Sequence, residues 1–338
     1  MIVVTGGTGL VGSHLLLSLA KANNAIRALI RPGSDPKKIL AVWNHYTNDP
    51  DSLFERIDWY TVDLLNRASL AEALQGAHQV YHCAARVSFD PRRKSEIWNA
   101  NVTLTRNLVN CCLELTNVKL IHVSSVAAIG RPREDGISDE TCGWPVKPAS
   151  IYSKTKTLAE LEVWRGITEG LNAVIVNPSV ILGPGDWKKG SAMIFDTIRK
   201  GLMFYPGGAT GFVDVSDVAE VMVALGNSEL SGERYILNSA DLSFRELFEK
   251  VAINLHRKPP SYSISPFMTS LAWIVEWMLT LVTKKEPRIT RHSARSAHSV
   301  QSYSSEKICN ALPYSFRNID ETIREIAAFY TKDKKAKE

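Results

Sequence analysis

The sequence predicts an α/β protein, a doubly wound and mostly parallel sheet followed by a smaller, mainly helical C-terminal lobe. Three observations carry this expectation. A short apolar run, Met1–Val4, leads directly into a glycine-rich turn and then into an apolar-periodic helix over Leu10–Ala20. Further short apolar runs alternate with helical patterns through the first half of the chain, as a parallel sheet covered on both faces requires. With 338 residues and 45% hydrophobic content, the chain can bury a large core in one domain or two intimately joined ones.

The turn after the first strand reads Thr5-Gly6-Gly7-Thr8-Gly9-Leu10-Val11-Gly12. Glycines at 6, 9 and 12 let the backbone turn tightly and approach a pyrophosphate, while the helix N-terminus offers free N–H groups and a partial positive charge. This βα unit predicts a Rossmann-type dinucleotide site. The second strand, Ala25–Ile30, ends at Arg31, with Lys37 and Lys38 nearby. An acidic residue there accepts from a ribose 2′-hydroxyl, whereas arginine accommodates a 2′-phosphate. Arg31 therefore favours NADP over NAD, the other reading being a solvated basic turn.

Later strands are expected at Asp58–Val62, Gln79–Cys83, Lys119–Ser124 and Ala173–Val176, with helices at Leu70–Leu74, about 96–115 and about 152–168. Their carboxyl ends, where such sheets bind ligands, carry Asp63, Cys83-Ala84-Ala85, Ser124-Ser125 and Asn177-Pro178-Ser179. Tyr152 and Lys156 form a YxxxK pair preceded by Ser150, a suitable helix start. Spacing of four puts phenol and ammonium on one helical face. A cation beside the phenol favours phenolate, so Tyr152 is expected to fall from its ordinary pKa of about 10 toward neutrality. Alone, such a pair arises often by chance.

Together, the TGxxGxxG turn, the serines closing the Lys119 strand, the YxxxK pair and the upstream Asn101 resemble the extended short-chain dehydrogenase/reductase family, within the NAD-dependent epimerase/dehydratase superfamily. The resemblance covers roughly residues 1–240 and continues weakly beyond. It implies that Tyr152 is the general acid/base, that Lys156 binds the nicotinamide ribose and tunes Tyr152, and that Ser125 polarises a substrate carbonyl. Ser124 stays possible in that last role, since strand alternation keeps the two serines from facing the same side. Asn101 is implied to hold a proton-relay water. For the cofactor it implies a pyrophosphate loop of Gly6, Thr8, Gly9, Leu10, Val11 and Gly12, an adenine contact at Asp63 and Leu64, a strip below the ribose at Ala84 and Ala85, and a carboxamide contact at Pro178, Ser179 and Val180. A homodimer through the helices carrying Asn101 and Tyr152 is implied as well.

Two departures bear on substrate. Nucleotide-sugar epimerases of the family often carry arginine where this chain has Asn177. They also carry an Arg-Asp ahead of a strand-to-helix segment that here reads Thr210-Gly211-Phe212-Val213-Asp214. Arginine is the natural partner of a diphosphate, so its absence counts against a nucleotide sugar. With Arg31, this favours the dihydroflavonol reductase-like branch: an NADP-dependent oxidoreductase reducing a ketone or aldehyde of a small substrate that is not nucleotide-linked. The rivals are an NAD-dependent nucleotide-sugar epimerase or dehydratase with tightly held cofactor, and a non-catalytic dinucleotide sensor. The intact Ser125, Tyr152 and Lys156 set speaks against the sensor. Phe89, Trp144 and Trp187 are candidates to line a substrate pocket, though ordinary packing is the weightier reading for each.

The expected organisation is a dinucleotide domain over 1–238, with 179–211 contributing to a substrate lobe, a C-terminal lobe over 239–330, and a charged, frayed tail at 331–338. The helix Pro266–Thr283 is rich in apolar residues, but Thr269, Glu276, Thr280 and Thr283 form a narrow polar stripe. The stripe is read as facing water, which argues against a membrane span. Docking on the body is the favoured place for this helix. Pairing with another subunit, or lying on a membrane surface with the basic stretch Arg288, Arg291, His292 and Arg295 beside it, is less favoured. Five cysteines without a CxxC pattern point to reduced thiols and no structural metal. A formal charge of +5 without aromatic interleaving in the basic runs argues against nucleic acid. A strand starting at Met1 leaves no room for a signal peptide, so a cytoplasmic location is expected.

Overall fold

The computed structural model describes residues 1–88, 90–283 and 290–335. Seven parallel strands form the main sheet: β1 (Ile2–Thr5), β2 (Ile26–Ile30), β3 (Ile57–Thr61), β4 (Gln79–His82), β5 (Lys119–Val123), β6 (Asn172–Pro178) and β7 (Glu233–Leu237). In space they run β3-β2-β1-β4-β5-β6-β7. The order reverses between β1 and β4, where consecutive connections leave for opposite faces and a crevice opens at the carboxyl edge. That crevice is where the glycine turn and the ends of β4, β5 and β6 meet.

Both faces are covered, so the strands are apolar on both sides. Helix α1 (Leu10–Lys21) covers one face, and α2 (Leu104–Leu113) and α3 (Ile151–Thr168) cover the other. Helix α4 (Val215–Gly226) lies beside α1. Within β1, Ile2 and Val4 join the core under α1 and α4, and Val3 joins the core under α2 and α3. The chain then builds a second lobe. Strands Val180–Leu182, Ala209–Asp214 and Ala240–Ser243 make a three-stranded sheet. Helices Met193–Arg199 and Phe244–Asn254 pack there around Phe195, Phe212, Leu247 and Val251.

Three features differ from expectation. The single helix expected over about 96–115 is interrupted: a helix Lys94–Trp98 passes through a wide, π-type turn at Asn99–Thr103 before α2 begins. Such a turn adds a residue and re-aims the side chains it carries. Second, residues 331–335 are not a frayed tail. They continue the C-terminal helix, whose inward face includes Ile323, Ile326, Ala327 and Tyr330. Trp187 Nε1 donates to Asp333 at 2.7 Å, and Lys334 pairs with Asp196 at 3.1 Å.

The third difference concerns helix α5 (Pro266–Thr283). Its polar stripe turns toward the protein rather than toward water. Thr280 is buried, Thr269 Oγ1 lies 3.0 Å from His298 Nε2, and Arg92 donates to the Thr280 carbonyl at 3.4 Å. Phe267, Met268, Leu271, Ile274, Val275 and Trp277 look outward, while Trp273 is half-buried. Among the described residues no helix is long and apolar enough to cross a membrane.

Candidate active site

The glycine turn is fixed by close backbone approach. Gly6 has φ +71°, in the left-handed region, and a Cβ there would meet the Ala84 nitrogen at 2.5 Å. A Cβ on Gly12 would stand 2.2 Å from the Gly6 carbonyl oxygen. Gly9 N–H donates to that same oxygen at 3.0 Å, and Gly9 caps α1 with no side chain to occupy the first N–H groups. These donors are the natural partners of an anion. Thr8 and Gly9 are exposed, Leu10 and Val11 half-buried.

At the end of β5 the two serines separate as strand alternation demands. The Ser125 hydroxyl lies beside the Tyr152 phenol, near enough to favour its ionisation, whereas Ser124 donates to Glu160 at 2.5 Å on the buried side. The start of α3 is held against this strand end. Ser150 caps it by accepting from Ser153 N–H at 3.0 Å, and Ser153 Oγ donates to the Ala127 carbonyl at 2.7 Å. Lys156, one turn on, is buried and its ammonium donates to the Val123 carbonyl at 2.7 Å. Burial brings its pKa down to about 8, against the raising influence of Glu160 and Cys83.

The phenol of Tyr152 is raised above its ordinary value rather than lowered as expected. Burial is the first cause, and the neighbouring Ser125 hydroxyl opposes it. The ammonium that was expected to pull it down is instead engaged by Val123. A protonated Tyr152 is an acid at neutral pH.

Asn101 sits in the wide turn and is buried. Its Oδ1 accepts from the Arg86 N–H at 2.7 Å, while its Nδ2 donates to the Arg86 carbonyl at 3.2 Å and to Thr155 Oγ1 at 3.0 Å. The side chain therefore bolts the segment after β4 to α3. A directed chain of hydrogen bonds ends at the same residue. Ala84 N–H donates to Thr5 Oγ1, which lies 2.8 Å from His82 Nδ1; His82 Nε2 lies 2.9 Å from Thr105 Oγ1, which donates to the Asn101 carbonyl at 2.6 Å. Since Thr105 spends its proton on that carbonyl, His82 must carry its own proton on Nε2, and Thr5 must donate to Nδ1. Burial keeps His82 neutral, with its pKa lowered to about 3.

Sequence reasoning missed a second buried network. Glu160 is completely buried in α3 and accepts four hydrogen bonds: Ser124 Oγ at 2.5 Å and Asn177 Nδ2 at 2.7 Å on one oxygen, Trp144 Nε1 and Arg234 Nη1, both at 3.0 Å, on the other. Arg234 also donates to the carbonyls of Glu140 and Gly143 at 2.7 and 3.1 Å. Asn177 reaches the Ser125 carbonyl at 3.0 Å. Position 177, where nucleotide-sugar epimerases often carry arginine, is thus an asparagine that shares the Glu160 carboxylate with Arg234 of the neighbouring strand. Glu160 lies four residues beyond Lys156, a spacing the sequence did display. Its partner gave no local signal.

The other predicted positions fall around the same edge. Arg31 is exposed at the end of β2, and its side chain has no partner among the described residues. Asp63 is exposed and accepts from Leu65 N–H at 3.0 Å, whereas the Leu64 side chain is buried in the core. Ala84 is half-buried and Ala85 exposed just beyond β4. Pro178 ends β6; Ser179 N–H donates to the Leu237 carbonyl at 3.0 Å, and the Ser179 hydroxyl is buried with no partner among the described residues. Val180 opens the first strand of the lobe. Trp187 does not line an open pocket. It is buried edge-to-face against Tyr330 and Phe195. Trp144 is partly exposed beside Arg234. Phe89 lies outside the described residues. The glycine cradle, the uncapped helix start and the orphaned Ser179 hydroxyl fit a dinucleotide laid across the carboxyl edge.

Fold and site together define a dinucleotide-dependent oxidoreductase of the doubly wound α/β class. Residues 2–237 match the model of the NAD dependent epimerase/dehydratase family. A Synechocystis sp. protein named as a dihydroflavonol 4-reductase is 30% identical over 82% of this chain and 79% of its own length. Cinnamoyl-CoA reductase CAD2 of Medicago truncatula is 29% identical over 70% of this chain and 76% of its own. The crystal structure of gox2253 superposes with a TM-score of 0.79 at 30% identity, covering 98% of each chain. The chain belongs to the NAD-dependent epimerase/dehydratase family, the extended short-chain dehydrogenases/reductases, and is an NAD(P)-dependent enzyme of that family.

Proposed function

We propose that this enzyme uses NADPH to reduce a ketone or aldehyde of a small substrate that is not linked to a nucleotide. The juxtaposition of Ser125 and Tyr152 at the end of β5, with Lys156 one helical turn away, carries the proposal. NADPH, held by the Gly6–Gly12 turn and the strand ends at Ala84 and Pro178, would supply the hydride to the carbonyl carbon. Tyr152 then gives its proton to the developing alkoxide, and solvent restores it; Ser125 Oγ donates to the same oxygen and orients it. A phenol kept protonated by burial is matched to this direction of reaction. Lys156 and the Asn101 bolt act by holding α3 and the segment after β4 in register around that oxygen.

Two further observations support the cofactor and the substrate class. Arg31 offers a guanidinium with no partner among the described residues at the end of β2, suited to a 2′-phosphate. At Gly211, where a diphosphate-binding cation is missing, a Cβ would stand 2.2 Å from Asn238 Oδ1 and 2.8 Å from the Tyr303 ring. The space is filled by this chain's own side chains. The test is NADPH consumption against a panel of aldehydes and ketones, run beside NADH and beside Tyr152→Phe. Oxidation of NADPH by the wild type, with turnover lost by about 100-fold or more in the variant and cofactor binding retained, is the expected result. No consumption of either cofactor, with NAD carried through purification, would overturn the reductase reading in favour of epimerisation.

A further inference from the structure

Helix α5 is amphipathic in the reverse sense for a surface helix of a globular protein. Thr269, Glu276 and Thr280 turn inward, while Phe267, Met268, Leu271, Ile274, Val275 and Trp277 are exposed, Phe267 by 78%. A surface helix normally buries its apolar stripe, so this face is built to be covered. The exposed apolar positions run from Phe267 to Trp277, about 15 Å along the helix axis. The strand leading into α5 adds Tyr262, which is exposed and 5.9 Å from the exposed ring of Phe204.

Charge identifies the cover. Residues 257–295 contain seven Lys or Arg against two acidic residues, a net +5 that equals the formal charge of the whole chain. Arg257, Lys258, Arg291 and Arg295 are exposed, and none has a side-chain ion pair among the described residues. Two copies meeting through this face would bring like charges together. An anionic surface that also dissolves aromatic and aliphatic side chains answers both properties, and an anionic lipid leaflet has them. We propose that α5 lies in the plane of an anionic membrane surface, its apolar face among the acyl chains and the flanking cations at the headgroups. The Arg92 contact to the Thr280 carbonyl joins the helix to the segment after β4 that borders the active site, which places the catalytic edge beside the bilayer.

Flotation with phosphatidylglycerol-containing vesicles, compared with pure phosphatidylcholine vesicles, tests this in the full chain. The paired variant Phe267→Ser/Leu271→Ser changes only exposed positions, and its melting temperature and NADPH binding serve as folding controls. The wild type is expected to float with the anionic vesicles and to be released by raised salt. The paired variant should bind at least about tenfold more weakly. Absence of flotation on anionic vesicles, or flotation unchanged in the variant, would overturn the proposal. So would a concentration-dependent dimer that the same variant dissolves, since the face would then belong to a second copy.

Discussion

Glu160 on α3 and Arg234 on β7 meet at 3.0 Å with almost no exposed surface on either side chain. The pair ties the catalytic helix to the last strand of the main sheet, and through Ser124 and Asn177 it also fixes the backbone beneath Ser125. A buried charge pair is stable only when its remaining lone pairs and protons are satisfied. Here the carboxylate accepts four bonds, and the guanidinium reaches two carbonyls besides.

Glu160→Gln is expected to destabilise the fold by about 3–5 kcal/mol, because it strands the Arg234 charge and sets an amide N–H against the donors Ser124 and Asn177. Urea unfolding measures this. The joint change Glu160→Met/Arg234→Met should recover part of the loss, since no buried charge then remains. A variant as stable as the wild type would show that the pair does not anchor α3.

Lys156 gives a pH signature. Its folded pKa is about 8, below its ordinary 10.5, so the folded state binds fewer protons between those values. Its desolvation penalty is fully present below about pH 8 and is relieved as pH rises toward 10.5, so this residue makes stability increase with pH across that window. Lys156→Met removes that component. The wild type should gain stability relative to the variant between pH 8 and 10, by an amount on the order of 1–3 kcal/mol, and equal slopes would contradict the assignment.

Gly12→Ala places a methyl group against the Gly6 carbonyl oxygen, a backbone atom with no rotamer to yield. The turn must shift. NADPH affinity should fall at least about tenfold, and stability by about 1–3 kcal/mol, as titration by fluorescence and thermal melting would show.

Arg31→Glu removes the cation proposed for the 2′-phosphate and introduces repulsion. The KM for NADPH is expected to rise by about tenfold or more while that for NADH changes little. An equal effect on both cofactors would place Arg31 outside the site.

Much of the fold was legible because its signals are local. Gly6, Gly9 and Gly12 are read within one turn, and Tyr152 and Lys156 within another; strand–helix alternation then supplies the sheet. What escaped depends on distance along the chain or on one inserted residue. Strand β7 carries Arg234 among Tyr235, Ile236 and Leu237, and nothing nearby reveals that its charge is matched 74 positions earlier by Glu160. The wide turn at Asn99–Thr103 leaves the apolar pattern of the region intact, so the break was invisible, as were the bonds from Asn101 to Arg86 and Thr155. Helix α5 was misjudged for a different reason. A polar stripe shows which residues differ from their neighbours, not which side the protein occupies.

Asp333 draws together distant parts of the molecule. One carboxylate oxygen accepts a hydrogen bond from the Trp187 indole N–H of the lobe; the other lies 3.2 Å from Nε2 of His45, next to the core of the main sheet, while His45 stacks on Phe329 at 4.4 Å. The contact with His45 closes a loop of 288 positions, an entropic expense that grows only logarithmically with length. The last turn of α6 (Ile319–Lys335) is therefore a clasp between the two halves, and trimming it would loosen a seam whose other side lies near residue 45.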